Sequence, residues 1–300
     1  MSNSDSSPYL LLVDGHAYAY RAFHAIRSLN APDGSPTNAL YGFIKMLQKM
    51  EGILKPTHLL VLWDGGLSAE RMRALPEYKQ QRPPTPEALS LQLPQLQIWL
   101  AASGIASWRQ EGDEADDWIG VYTRRATTAG WRVVIASSDK DFMQLVTDRT
   151  GLFNPNDKSD KVWGPADVVN KTGVNPSQIV DWLSLIGDVA DNIPGVPGVG
   201  PKTSTDLLRR FGTIDILLSR LDEIKSERQR TELHGAAEAV RRNQRMVALN
   251  CDLKGGPELD QLAPVPADLN QLRELYRAWG FGSMLAGIGS GESPVQGTLL

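Results

Sequence analysis

The sequence predicts an α/β protein: a parallel-sheet core followed by a smaller, all-helical unit. Two observations predict the sheet: three short apolar runs separated by stretches of helical period, and a carboxylate at the exit of each run. A third observation predicts the helical unit. Beyond Gly187 strand signals disappear, and a glycine- and proline-rich stretch opens onto an amphipathic helix.

Taken in order, Tyr9 to Val13 is an apolar run ending in Asp14 and Gly15, as expected of a buried strand with an acid at its carboxyl end. Leu40, Phe43, Ile44, Leu47 and Met50 fall at helical spacing between Asn38 and Leu54, with Thr37 as the expected N-cap. His58 to Trp63 repeats the strand pattern and ends in Asp64; Trp131 to Ala136 repeats it again, ahead of Asp139 and Asp141. Between the second and third runs, Leu75 to Pro86 is polar, basic and proline-rich and reads as an exposed loop or arch leading to a helix over Leu89 to Ser103. Gly112-Asp113-Glu114-Ala115-Asp116-Asp117 opens the next helix, where acids also gain from the dipole of a first turn. A short strand-like pair, Gly151 to Phe153 and Lys161 to Trp163, precedes helices begun by Pro165 and Pro176. Gly195 to Phe211 reads as two short helices joined by a glycine-rich hairpin, Arg228 to Ala248 as one charged helix, and Ala267 to Trp279 as the last; from Ser290 on a disordered polar tail is expected.

Composition sets bounds. Three hundred residues with 41% hydrophobic content suffice for a normal core and about two domains. The single cysteine, Cys251, excludes an intrachain disulfide framework and fits a reducing compartment. No signal sequence or membrane-length apolar run is present, so a soluble, cytoplasmic protein is expected. A net charge of -4 disfavours a uniformly basic nucleic-acid binder, but a cluster of acids can mask a local basic face.

Nine carboxylates sit where the strand ends and helix starts would bring them together: Asp14, Asp64, Glu114, Asp116, Asp117, Asp139, Asp141, Asp188 and Asp191. At about 4 Å and an effective dielectric near 20, each like-charged pair costs roughly 4 kcal/mol. Either these groups hold protons or cations lie among them; unrelated surface acids are the remaining alternative. Oxygen donors without a histidine or cysteine cluster select Mg²⁺ or Mn²⁺ over zinc, and ligands enough for two ions point to two-metal phosphodiester hydrolysis. From Gly187 to Gly212, the acids Asp188 and Asp191 abut glycines that can turn backbone N–H groups toward a phosphate, although a Pro/Gly linker would read the same way.

Five motifs, in order, then carry a resemblance: L-V-D-G-H-A-Y-A-Y-R-A-F-H-A-I, P-E-Y-K-Q-Q-R-P-P-T-P-E, G-D-E-A-D-D, S-S-D-K-D-F-M-Q-L and G-D-V-A-D-N-I-P-G-V-P-G-V-G-P-K-T. From about Tyr9 to Ile288 the chain resembles the 5'-nuclease (5'-3' exonuclease, flap endonuclease) domain of bacterial DNA polymerase I. The resemblance implies a PIN-like catalytic core over 8–175 with a helical arch at about 75–95. A helix-hairpin-helix DNA-binding domain would follow over 176–288, with a tail at 289–300. By position, Asp14, Asp64, Glu114 and Asp116 would hold one metal, Asp139, Asp141, Asp188 and Asp191 the other, with Asp117 near both. Lys79 and Arg82, with Tyr78, would act at the scissile phosphate or beside a displaced base. Tyr20, Arg21, Arg71, Gly195, Gly198, Gly200 and Lys202 would contact DNA, and hairpin carbonyls would hold a potassium ion.

The expected substrates are nicked or branched duplexes with a 5' end or flap, and RNA primers. A monomer near the nucleoid, alongside a separate polymerase, is expected. Trp63, Gly65-Gly66, Glu70 and Arg73 depart from the family pattern, and Asp113 has no role that the pattern supplies. A DNA-structure binding module with weak catalysis is the alternative; it predicts missing acids, and none is missing.

Overall fold

The structure is a computed structural model that describes residues 7–154, 157 and 159–289. The tail expected from Ser290 lies outside the described residues.

The first half forms β1 (Tyr9–Asp14), α1 (Gly15–Ala25), α2 (Asn38–Leu54), β2 (His58–Trp63), α3 (Ala69–Ala74), α4 (Glu87–Ser90), α5 (Leu93–Ala102), β3 (Ala106–Arg109) and α6 (Ala115–Thr128). Then come β4 (Arg132–Ala136), β5 (Thr150–Phe153), β6 (Val162–Trp163), α7 (Pro165–Thr172) and α8 (Ile179–Ile186). The two-residue strands β7 (Gly187–Asp188) and β8 (Ile193–Pro194) precede α9 (Pro201–Phe211), α10 (Ile214–Ser219), α11 (Glu227–Gly235), α12 (Ala237–Val247), α13 (Leu269–Ala278) and α14 (Gly282–Gly289).

The six-stranded sheet runs β3-β2-β1-β4-β5-β6, parallel except for the last pair. From β1 the chain winds outward through β2 and β3, then returns to place β4 on the other side of β1. The carboxyl ends of β1 and β4 therefore flank a switch point, where an α/β sheet opens a crevice. All three predicted apolar runs are strands. Alternation along them divides the core in two. Leu10, Leu12, Leu60, Leu62, Val133 and Ile135 pack under α6 and the later helices, whereas Leu11, Val13, Leu59, Val61 and Trp63 face α1, α2, α5 and α13.

Four local expectations need correction. β3 was not foreseen, because Ala106–Arg109 is an edge strand of alternating half-exposed residues without an apolar run. Thr37 stands at the N-cap of α2 but gives no side-chain cap; Gln92 reaches across to accept from Ala39 N and Leu40 N at 2.8 and 3.1 Å. The helix expected over Arg228 to Ala248 breaks into α11 and α12 beside Gly235, a poor helix former. In the glycine-rich stretch the first helix is α8, earlier than expected, and residues 187–200 form the connection to α9.

The second half is tied together by buried polar contacts. Trp182 Nε1 donates to Thr205 Oγ1 (3.0 Å), which donates onward to Thr172 O (2.7 Å). Fully buried Asn243, on α12, donates to Ser184 O and Pro194 O, fastening the hairpin to the helix behind it. The last helices do not stay with this half. α13 returns to the far face of the sheet, where Trp99 Nε1 donates to Tyr276 Oη at 2.9 Å and Leu272, Trp279 and Phe281 join the core.

Candidate active site and nucleic-acid interface

The predicted acids converge on the carboxyl edge of the sheet. Asp14 ends β1 and caps α1, accepting from Ala17 N (3.0 Å) and from the Ser137 hydroxyl (3.2 Å). Asp64 follows β2; its Oδ1 accepts from Ala115 N (2.9 Å), and its own N–H donates to His16 Nδ1 (3.0 Å). That bond fixes His16 as an acceptor on Nδ1, and burial lowers its pKa, so the imidazole is neutral. Asp139 caps the turn after β4 by accepting from Asp141 N (2.9 Å).

Two groups form. Burial first, then Asp64 and Asp139, push the Asp14 carboxyl up to about 7. Burial, then Asp139 and Asp14, raise Asp116 well above the usual range. Burial raises Asp139, with Asp191 and Asp188 adding to it; Asp141 rises further through burial, Asp139 and Asp188. Asp139 thus belongs to both groups: Asp14, Asp64 and Asp116 on one side, Asp141, Asp188 and Asp191 on the other. Like charges gathered out of water disfavour ionisation together.

Three carboxylates, Glu114 and two of the second group, are turned toward cations. Glu114, at the start of α6, accepts from Ser68 N (3.0 Å), Tyr78 Oη (3.0 Å) and Lys79 Nζ, and lies 3.2 Å from Arg71 Nη1. Burial favours its neutral form, but Lys79 and Arg71 outweigh it and hold its pKa low. Asp188 pairs with Lys140 (3.2 Å) and Asp191 with Arg82 (2.6 Å).

The segment expected as the arch is laced to the hairpin at its base. Lys79 N donates to Asp191 O (3.1 Å), Asn192 Nδ2 to Glu77 O (2.9 Å) and Gln81 Nε2 to Asn192 Oδ1 (3.0 Å). Lys79 takes a left-handed φ of 56°, an uncommon backbone for lysine that these contacts hold in place.

Would divalent ions fit? The donors are hard oxygens, and buried Asp141 Oδ1 has no hydrogen-bond partner, which matches such an ion's chemistry. As the side chains lie, no group of three or more His, Cys, Asp or Glu among the described residues is arranged to hold a metal ion. The fit is therefore one of donor type and placement, with several acids engaged by Lys79, Arg82 and Lys140.

Four of the expected residues have other engagements in the structure. Asp117 does not face the two acid groups: both its oxygens are taken by Arg71, at 2.7 and 2.9 Å. Arg71 is correspondingly buried, its guanidinium held by Asp117. Tyr78 is also buried, 3% exposed, with its hydroxyl on Glu114, so its ring is not free to stack on a base. Gly195 is a point of close approach: a Cβ there would run into Ile186 O.

The other expected contacts differ in exposure. Gly198 (φ 76°), Gly200 at the N-cap of α9 and Lys202 are exposed on one edge of the hairpin. Tyr20 is half-buried with its hydroxyl on Thr85 (2.8 Å), and Arg21 is half-buried on the same helix.

Two departures find reasons. Gly65 is required because a Cβ would collide with the Gln110 carbonyl, and its N–H donates to Asp113 O (2.8 Å). Asp113 also accepts from Trp118 Nε1 (3.2 Å), so it braces the loop before α6. Residues that sequence reasoning missed include Ser137, Lys140, Gln81 and Asn192. Each lies within or beside a motif already singled out, but nothing in the pattern said which partner it would meet.

A switch-point cluster of carboxylates beside a helical hairpin defines a class: nucleases that act on phosphodiesters beside bound nucleic acid. The chain belongs to the 5'-3' exonuclease family: residues 9–173 match the 5'-3' exonuclease N-terminal resolvase-like domain, and residues 174–270 the 5'-3' exonuclease C-terminal SAM fold. It is thus a nuclease of the 5'-3' exonuclease family, its helical second half matching that family's C-terminal SAM fold.

Among its relatives, the 5'-3' exonuclease of Aquifex aeolicus is 34% identical over 92% of this chain and 93% of that protein. DNA polymerase I of Bacillus caldotenax is 39% identical over 92% of this chain but only 32% of its own length. The chain therefore spans about a third of such polymerases. In structure it is similar to T5 5'-exonuclease with bound zinc (TM-score 0.68, 24% identity, 90% of this chain and 99% of that one). It also resembles the Rad2 catalytic core in complex with DNA substrate (TM-score 0.62, 15% identity, 94% and 91%). Both likenesses concern the fold.

Proposed function

We propose that this chain is a Mg²⁺- or Mn²⁺-dependent 5'-nuclease that cuts flapped and nicked duplexes and removes RNA primers. The observation that carries this reading is the pair of carboxylate groups meeting at Asp139, at the sheet's switch point and beside an exposed hairpin. Asp14, Asp64, Asp116 and Asp139 would hold one ion, and Asp139, Asp141, Asp188 and Asp191 a second, with Glu114 behind them. Divalent ions held there would supply a nucleophilic water and charge stabilisation for phosphodiester hydrolysis.

The chain's own residues do the rest. Exposed Gly198, Gly200 and Lys202 meet the duplex backbone, Lys202 as a point charge on a phosphate. Arg82 is half-exposed, so its pair with Asp191 is worth on the order of 1 kcal/mol or less and exchanges readily for a phosphate. Lys79 is buried against Glu114 and stays charged: burial would lower its pKa, but Glu114, Asp116 and Asp191 more than offset it. It therefore offers a fixed positive charge where phosphate charge develops.

Incubating the protein with a labelled 5'-flap duplex, in Mg²⁺ or in EDTA, tests the reading. Product in Mg²⁺ alone is expected. A flap bound tightly but never cut, under any divalent ion, would favour a binding module instead.

A further inference from the structure

The Arg71–Asp117 pair does more than bury a salt bridge. Every arm of the guanidinium is used: Nε donates to Met246 O (3.0 Å), Nη1 to Asp117 Oδ2 (2.9 Å) while lying 3.2 Å from Glu114 Oε1, and Nη2 to Asp117 Oδ1 (2.7 Å) and Ala248 O (3.2 Å). Asp117 Oδ1 also accepts from Asn250 N (2.8 Å). Three separate pieces of chain meet here: α3, which leads into the arch; α6, which carries Asp116 and is preceded by Glu114; and residues 246–250, the end of α12 and the turn after it. Through Asn243, α12 in turn holds the hairpin at Ser184 and Pro194. Adjacent residues on a helix point about 100° apart. Here Asp116 faces the acid cluster, and Asp117, turned aside, is spent on the junction.

We propose that Arg71 and Asp117 are positioning residues that set the hairpin's approach to the acid cluster, and that Asp117 ligates no metal. The proposal rests on the nuclease reading above. A planar fork is needed because it alone reaches a carboxylate and two carbonyls together; lysine would keep the charge and lose the geometry.

The test counts Mn²⁺ bound to the whole protein, from the electron paramagnetic resonance of the free ion, and measures single-turnover cleavage at saturating 5'-flap duplex. Asp117→Asn is expected to keep the wild-type Mn²⁺ count, whereas Asp139→Asn loses at least one ion. Both Asp117→Asn and Arg71→Lys should cut at least tenfold more slowly per folded molecule, the folded fraction being read from the circular dichroism melt. A merely structural pair would lower that fraction and leave the saturated rate alone. Loss of a Mn²⁺ ion in Asp117→Asn overturns the proposal. Should that variant not fold, a wild-type rate in Arg71→Lys overturns it equally. If the unaltered protein cuts no flap, the nuclease reading fails, and the Mn²⁺ counts still decide whether Asp117 is a ligand.

Discussion

Asn243 Nδ2 donates to the Pro194 carbonyl at 2.7 Å and, from the same nitrogen, to Ser184 O at 3.0 Å. One fully buried amide thus closes the end of α8 and the return strand of the hairpin against α12. Replacing it with alanine removes the donor from one buried and one part-buried carbonyl, the buried one alone costing on the order of 1–3 kcal/mol. Asn243→Ala is expected to lose about 2 kcal/mol in urea unfolding and to bind a flap duplex more weakly. A variant as stable as the parent would show that water satisfies those carbonyls.

Gly65 follows the acid of β2 and lies against the backbone of residues 110–112. Alanine there must push two backbone segments apart, and both lead to carboxylates, Asp64 and Glu114. Gly65→Ala should lower the melting temperature by several degrees and cleavage by at least tenfold. Gly198→Ala, with open space around it but φ at 76°, should cost only about 1 kcal/mol. Differential scanning fluorimetry on the two variants checks the ranking.

The raised carboxyls make stability depend on pH in a defined direction. Burial and neighbouring acids bring Asp14 to about 7 and raise Asp116, Asp139 and Asp141. Folded protein then keeps protons that the unfolded chain releases above about pH 4, so stability falls as pH rises through the folded value near 7. His16 opposes this only as pH drops through about 6.5, where the unfolded imidazole gains a proton that the buried one refuses. In EDTA the melting temperature should therefore climb as pH is lowered from about 8.5 toward about 6.5. Mg²⁺ should raise it more at the upper end, where it displaces fewer protons. A larger Mg²⁺ effect at the lower pH would contradict this.

Binding and chemistry should separate between two further variants. Asp188→Ala is expected to abolish cleavage while its flap affinity in Ca²⁺ survives. Lys202→Ala should weaken affinity and reduce the salt slope of binding by about one unit, since it is expected to neutralise one phosphate. Fluorescence anisotropy across a salt series decides; an unchanged slope would remove Lys202 from the interface.

How much of this was legible in the sequence follows from how locally each feature is specified. Buried parallel strands must be apolar along their whole length, so β1, β2 and β4 stood out, and the acids at their exits came with them. β3, an edge strand with one side in solvent, has no such obligation. Asp117 was grouped with Glu114 and Asp116 because adjacency is visible in a sequence. Its direction depends on where Arg71 stands, 46 residues earlier. Tyr78 misled for the same reason: an aromatic in a polar, proline-rich stretch reads as exposed until Glu114 is known to lie beneath it. Gln92 capping α2 from 53 residues away is beyond any local rule.

The route taken by α13 bears on how the protein can be cut down in the laboratory. The family match ends at residue 270, yet Leu272, Tyr276, Trp279 and Phe281 belong to the core on the α1, α2 and α5 side of the sheet. A fragment trimmed at that boundary would lay bare Trp99 and its aliphatic surroundings and invite precipitation. Expression designs that aim for a minimal nuclease should keep at least the stretch through Ile288.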